Sequence, residues 1–111
     1  MTTLSPDALK EEIQQETAAH KILIYSKGTK MVPRCGFTME TCQFFEQLGY
    51  PFETIDVLDN PEKRQVLSEL TNWPTLPKVF INGKFYGDTD VLGPMAESGE
   101  LTQVLKDAFG Q

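Results

Sequence analysis

With 111 residues, 40% hydrophobic and 23% charged, the chain has the composition of an ordinary globular protein with one core and not two. A formal net charge of -6 excludes a general nucleic-acid binder, which needs a basic stripe. No run of about 18 apolar residues is present, so nothing is expected to span a membrane.

The start, Met1-Thr2-Thr3-Leu4-Ser5-Pro6-Asp7, lacks the charged and apolar regions of a signal peptide and the arginines of a transit sequence. A cytoplasmic location is therefore expected, or an organelle stroma or matrix if a transit peptide was removed. Two cysteines in such a chain point to a reducing compartment and to reactivity or metal binding, not to a disulfide scaffold.

Ser5-Pro6-Asp7 predicts a helix start, with a capping hydroxyl, a first-turn proline and an acid near the positive dipole end. Leu4, Leu9 and Ile13 mark one face of that helix through about Ala19, and His20 at its end reads as a capping surface residue. Lys21 to Ser26 holds the short apolar run of a buried strand, and Lys27 to Arg34 is a loop carrying Gly28 and Pro33. Met39, Cys42 and Phe45, with Phe44 and Leu48, are the expected apolar stripe of the next helix, which Gly49 ends.

Phe52 to Val57 is a second strand. Asn60-Pro61-Glu62 starts a third helix, with Val66, Leu67 and Leu70 facing in. Trp73-Pro74-Thr75-Leu76-Pro77 cannot be helical, because each proline constrains the residue before it. Lys78 to Ile81, a turn at Asn82-Gly83 and Lys84 to Tyr86 form a hairpin. Helical pieces from about Asp90 to Ser98 and Glu100 to Phe109 complete the chain. Residues 1–111 thus read as one α/β domain: a mixed four-stranded sheet flanked by helices, with an extra N-terminal helix.

Cys35 heads Cys35-Gly36-Phe37-Thr38, with Pro33 before it and a helix after it. Unpaired N–H groups and the dipole at a helix mouth favour the thiolate, the form that attacks disulfides and binds soft metals. The fourth position, where a dithiol redox protein holds a second cysteine, is Thr38. Cys42 lies seven residues on, roughly 10 Å along a helix, too far for a disulfide with Cys35. It reads as a core residue. Trp73, the only tryptophan, reads as a core residue by its size.

The element order, with a cysteine at the first strand-to-helix junction and Thr75-Leu76-Pro77 before the hairpin, resembles the thioredoxin fold. Lys27-Gly28-Thr29, Pro33-x-Cys35-Gly36-Phe37, Trp73-Pro74-Thr75-Leu76-Pro77 and Gly87 with Asp90 resemble the monothiol glutaredoxins in order and spacing. Seven residues separate Lys27 from Cys35, the longer loop of the cluster-binding monothiol branch. Thr38 departs from the usual serine, Gly87-Asp88-Thr89-Asp90 from the usual last motif, and Gly93-Pro94 is expected to interrupt the helix that follows.

The resemblance implies a glutathione pocket, with Lys27 and Arg64 for the carboxylates, Thr89 and Asp90 for the α-amino end, and Leu76 pairing through its backbone before a cis Pro77. Lys30, Arg34 and Lys63 are read as reinforcing that basic patch, though exposed lysines add little. The resemblance places Trp73-Pro74 beside the thiol, a reading that stands level with core for Trp73. It also implies Cys35 as both the catalytic thiol and the metal ligand of a [2Fe–2S] cluster bridging two subunits, completed by two glutathiones. Partners would be recipient iron–sulfur apoproteins and a BolA-like protein. An alternative is a weak glutathione-dependent thiol–disulfide oxidoreductase, and a third is an adaptor that only binds proteins.

Overall fold

Alternation along one short strand sorts the molecule into two cores. In β1 (Ile22–Ser26), Ile22 and Ile24 point to one face of the sheet, Leu23 and Tyr25 to the other, and every residue is buried. The computed structural model describes residues 4–111; residues 1–3, which open the stretch read as leaderless, lie outside the described residues.

The remaining elements are α1 (Pro6–Ala19), α2 (Gly36–Leu48), β2 (Glu53–Asp56), α3 (Pro61–Thr71), β3 (Lys78–Ile81), β4 (Lys84–Gly87), α4 (Thr89–Ser98) and α5 (Glu100–Ala108). The sheet order is β2-β1-β3-β4, with β1 and β2 parallel and the other pairs antiparallel. The connection from β1 to β2 runs through α2, as a parallel pair requires. Asn82 and Gly83, at φ 53° and 80°, make the tight turn between β3 and β4.

On one face, Cys42 and Phe45 of α2, Leu92 of α4 and Leu101, Leu105 and Ala108 of α5 cover Ile22, Ile24, Val79 and Ile81. On the other, Leu9 and Ile13 of α1 and Val66 and Leu67 of α3 cover Leu23, Tyr25, Val57 and Phe80. Each such fully buried aliphatic contributes about 1.5–3 kcal/mol of transfer free energy. The helix starts follow their capping chemistry: Ser5 Oγ accepts from the Ala8 N–H at 3.2 Å, and Asn60 Oδ1 from the Lys63 N–H at 3.2 Å.

Four sequence expectations need correction. Leu4 precedes α1 and is exposed, and Leu70 is 48% exposed, so neither belongs to its helix's inner face. In α2, Met39 and Leu48 are exposed, while Thr38 and Thr41 are buried with Cys42 and Phe45. Local hydrogen bonds make those threonines tolerable: Thr41 Oγ1 donates to the Phe37 carbonyl at 2.9 Å, and Thr38 Oγ1 accepts from the Lys27 N–H at 3.3 Å. Pro94 does not interrupt α4, which runs unbroken from Thr89 to Ser98.

Lys63 is the fourth. It is buried, and its amine binds Glu16 at 2.8 Å and Glu12 at 3.1 Å on α1. Glu16 also accepts the Tyr25 hydroxyl at 2.7 Å. The residue expected in a basic surface patch is a tie between two helices.

Candidate thiol cleft

The loop that delivers Lys27 to the thiol is tied down along its length. Gly28 sits at φ 81°, and a Cβ there would lie 2.4 Å from the Val32 carbonyl oxygen and 2.6 Å from the Arg34 nitrogen. Only glycine fits that close approach. The Gly28 N–H donates to Asp56 Oδ1 at 3.0 Å, Ser26 Oγ donates to the Gly28 carbonyl at 2.8 Å, and the Arg34 N–H returns to the Lys27 carbonyl at 3.0 Å. Further out, the Lys30 N–H donates to Thr54 Oγ1 at 3.0 Å. The tip is apolar and bare, with Met31 83% exposed.

Asp56 was not singled out in the sequence, yet it holds the loop's first turn and accepts the Leu58 N–H at 2.9 Å as well. Those two backbone donors keep its carboxyl below the ordinary aspartate range. An aspartate closing a strand just before a turn was the available signal.

Cys35 is the N-cap residue of α2, half-buried, with extended backbone at φ -154°. The thiol forms no capping hydrogen bond, but the N–H groups of Phe37 and Thr38 are placed to favour its charged form. They hold its pKa below the ordinary thiol value, with a smaller electrostatic contribution from Lys27 and a small opposing one from burial. Cys42 behaves in the opposite way: burial pushes its pKa up, and Glu46 adds to the rise.

A cleft of about 410 Å³ opens in front of Cys35. Lys27, Arg64, Leu76, Thr89 and Asp90 all line it, so the structure brings the whole predicted set to one place. The peptide bond between Leu76 and Pro77 is cis. Arg64 reaches the cleft from α3, its Nη1 donating to the Leu58 carbonyl at 3.3 Å. Asp88, not Thr89, caps α4, its Oδ1 accepting the Asp90 N–H at 2.9 Å. Thr89 Oγ1 instead donates to Glu40 Oε1 at 3.2 Å.

Glu40 therefore lines the cleft without having been singled out, and Asp88, read only as a departure from the usual motif, lines it too. Each sits within a short step of a motif residue, but a helix position and a cap had to be known before either faced the thiol. Of the expected reinforcing cations, Lys30 is committed to Glu53 at 2.5 Å and to the Phe52 carbonyl at 2.9 Å, and Lys63 to α1. Trp73 is half-buried, packed edge-on to Phe85 at 5.9 Å and against Gly87, and it is its neighbours Pro74 to Pro77 that line the cleft. His20 is exposed at the end of α1.

The sheet order, the flanking helices and a lone cleft-facing thiol at the mouth of α2 define a thioredoxin-fold protein. The glutaredoxin family model matches residues 22–86. A monothiol glutaredoxin of Synechocystis is 43% identical over 90% of this chain and 94% of its own length. A chloroplastic monothiol glutaredoxin of rice is 39% identical over 96% of this chain and 62% of its own length. The solution structure of reduced poplar apo GrxS14 superposes with a TM-score of 0.81 at 36% identity, covering 93% of this chain and 94% of that one. The chain belongs to the glutaredoxin family, among its monothiol members.

Proposed function

We propose that this protein binds glutathione in the Cys35 cleft and, as a pair of chains, carries a [2Fe–2S] cluster that it passes to apoproteins. The observation that carries this reading is that one thiolate-favouring sulfur shares its cleft with two cationic side chains, Lys27 and Arg64, and with the acids Asp88 and Asp90. Glutathione has two carboxylates, one ammonium and one thiol, and each has a counterpart in the cleft. A [2Fe–2S] cluster takes four sulfur ligands. Cys42 is buried in the core, so one chain contributes Cys35 alone. Two chains and two glutathiones complete the set, and the two glutathiones leave easily because they are held without covalent bonds. A reducing compartment, cytoplasm or stroma, suits both the free thiols and the glutathione they need.

The lowered Cys35 pKa also supports a second reaction in the same cleft. The thiolate attacks the glutathione sulfur of a protein mixed disulfide, and the protein thiol leaves as thiolate. A second glutathione thiolate then attacks the Cys35–glutathione disulfide, releasing oxidised glutathione and restoring Cys35.

Anaerobic reconstitution with iron, sulfide and glutathione, followed by sizing, tests the cluster reading. A red-brown dimer that bleaches and dissociates when glutathione is removed is the expected result. A colourless monomer with brisk glutathione-dependent reductase turnover overturns cluster carriage in favour of the second reaction.

A further inference from the structure

Lys78 opens β3 and is 1% exposed. Strand alternation puts it on the same face as Phe80, and across the ladder it stands opposite Tyr25. Buried lysines normally sit against a carboxylate. This amine donates instead to two backbone carbonyls, those of Trp73 and, at 3.0 Å, Thr75.

Both carbonyls belong to the segment that carries Leu76 into the cleft wall. That segment has two prolines, hence two missing N–H groups, and little means of holding itself by backbone bonds. Its other attachments are the Trp73 N–H to the Ser68 carbonyl at 3.4 Å and the Thr71 hydroxyl to the Trp73 carbonyl at 3.5 Å. Both are at the long limit of a hydrogen bond. Among the described residues, the Lys78 amine makes the shorter hydrogen bonds that hold this loop to the sheet, beside the packing of Trp73 on Phe85 and Gly87.

We propose that Lys78 is a positioning residue for the cleft: its amine clamps the Trp73–Thr75 backbone from beneath and fixes the edge of Leu76 that a bound tripeptide would pair with. The role rests on the glutathione reading above. Burial lowers the Lys78 pKa to about 8, and no neighbouring charge contributes. Of the groups that face it, Tyr25 on β1 stays neutral because its phenol is buried and bound to Glu16. On α3, Lys63 is committed to Glu12 and Glu16 and Thr71 carries no charge, nor does Thr75 in the loop that follows. The ammonium is therefore the main form below about pH 8 and is lost as pH rises through that value, so the clamp weakens and ligand affinity falls in the same direction.

Two readouts test this on the full chain. Trp73 is the only tryptophan, so its fluorescence reports on the clamped loop. Wild-type emission should titrate with a midpoint near 8 and become flat in Lys78→Met and Lys78→Gln. Affinity for S-methylglutathione, which cannot form a disulfide with Cys35, should fall about tenfold in Lys78→Met, the loss of a charge-assisted bond. Lys78→Gln keeps neutral donors and should recover part of that affinity. The ratio of wild-type to Lys78→Gln affinity should fall between about pH 7 and pH 9, since the ligand's own titration cancels.

A folded Lys78→Met variant that binds as wild type, or a wild-type Trp73 emission flat across that interval, overturns the proposal. Should wild type itself fail to bind S-methylglutathione, the glutathione reading falls and the positioning role with it. The Trp73 titration separates the two failures, because it reports the clamp without any ligand.

Discussion

The mouth and the middle of α2 shift the acidity of the same side chain in opposite directions. At the mouth, Cys35 meets the unpaired N–H groups of Phe37 and Thr38, and its pKa is lowered. Two turns along, Cys42 lies among Phe45, Leu92 and Leu101, and its pKa is raised. A helix end offers donors and a helix flank offers only hydrocarbon, so reactivity follows position and not residue type. The contrast also shows how a protein can keep two thiols and expose the chemistry of one.

The hardest test of that contrast is a pair of serine variants. Cys35→Ser should abolish the cluster chromophore altogether, and Cys42→Ser should leave it intact. A Cys42→Ser protein that folds but takes up no cluster would reverse the assignment of the two sulfurs.

Next in size comes Lys27→Gln. Losing one charge-assisted contact, on the order of 1.5–3 kcal/mol, should weaken glutathione retention roughly ten- to a hundredfold. Its effect on the Cys35 pKa should be a small rise, because the two backbone donors outweigh the lysine. Alkylation rate against pH measures the second quantity and dilution of glutathione from the holo dimer the first. A large pKa rise would mean that the side chain, not the helix mouth, makes the thiolate.

Cys42→Ser carries its own prediction, a stability loss of about 1–3 kcal/mol from a hydroxyl placed in the core. The pH dependences of the two thiols have opposite signs. Cys42, whose folded pKa is raised, contributes stability that is present at low pH and lost as pH rises through that pKa. Cys35, whose folded pKa is lowered, contributes stability at high pH that is lost as pH falls through its pKa. Denaturant melts of wild type and Cys42→Ser on the alkaline side should therefore converge as pH rises; a constant gap would show that the thiol titrates alike in the folded and unfolded chain.

The smallest effect belongs to Lys30→Ala. Its pair with Glu53 is solvent-exposed, so the change should cost no more than about 1 kcal/mol and leave the Cys35 alkylation profile alone. An altered profile would extend the thiol's environment to the far end of the loop.

Much of this architecture is legible before any coordinates. The apolar run at Ile22, the turn at Asn82-Gly83, the caps at Ser5 and Asn60 and the cysteine at a helix mouth are local signals, and each element formed where they put it. Of the cleft, Lys27, Cys35, Leu76 and Asp90 were legible because they stand in motifs that survive as strings; Glu40, which stands in none, was not. The inner face of α2 was not, because Thr38 and Thr41 are polar in sequence and satisfied only by neighbours in space. Nor were the burial of Lys78, whose partners are backbone carbonyls, and the duty of Lys63, whose partners come from α1. Composition counts charges; it does not say which of them are spoken for.

The tie between Lys63 and α1 bears on the order in which the chain can mature as it is made. Glu16 and the Lys63 amine are 47 positions apart, and Leu9 and Ile13 wait for Val66 and Leu67 across a similar gap. During synthesis α1 can meet β1 early, through Glu16 and Tyr25, but its inner face is not closed until α3 has followed. Its two glutamates hold negative charge in water during that interval, which keeps the early chain soluble while its apolar stripe is still uncovered.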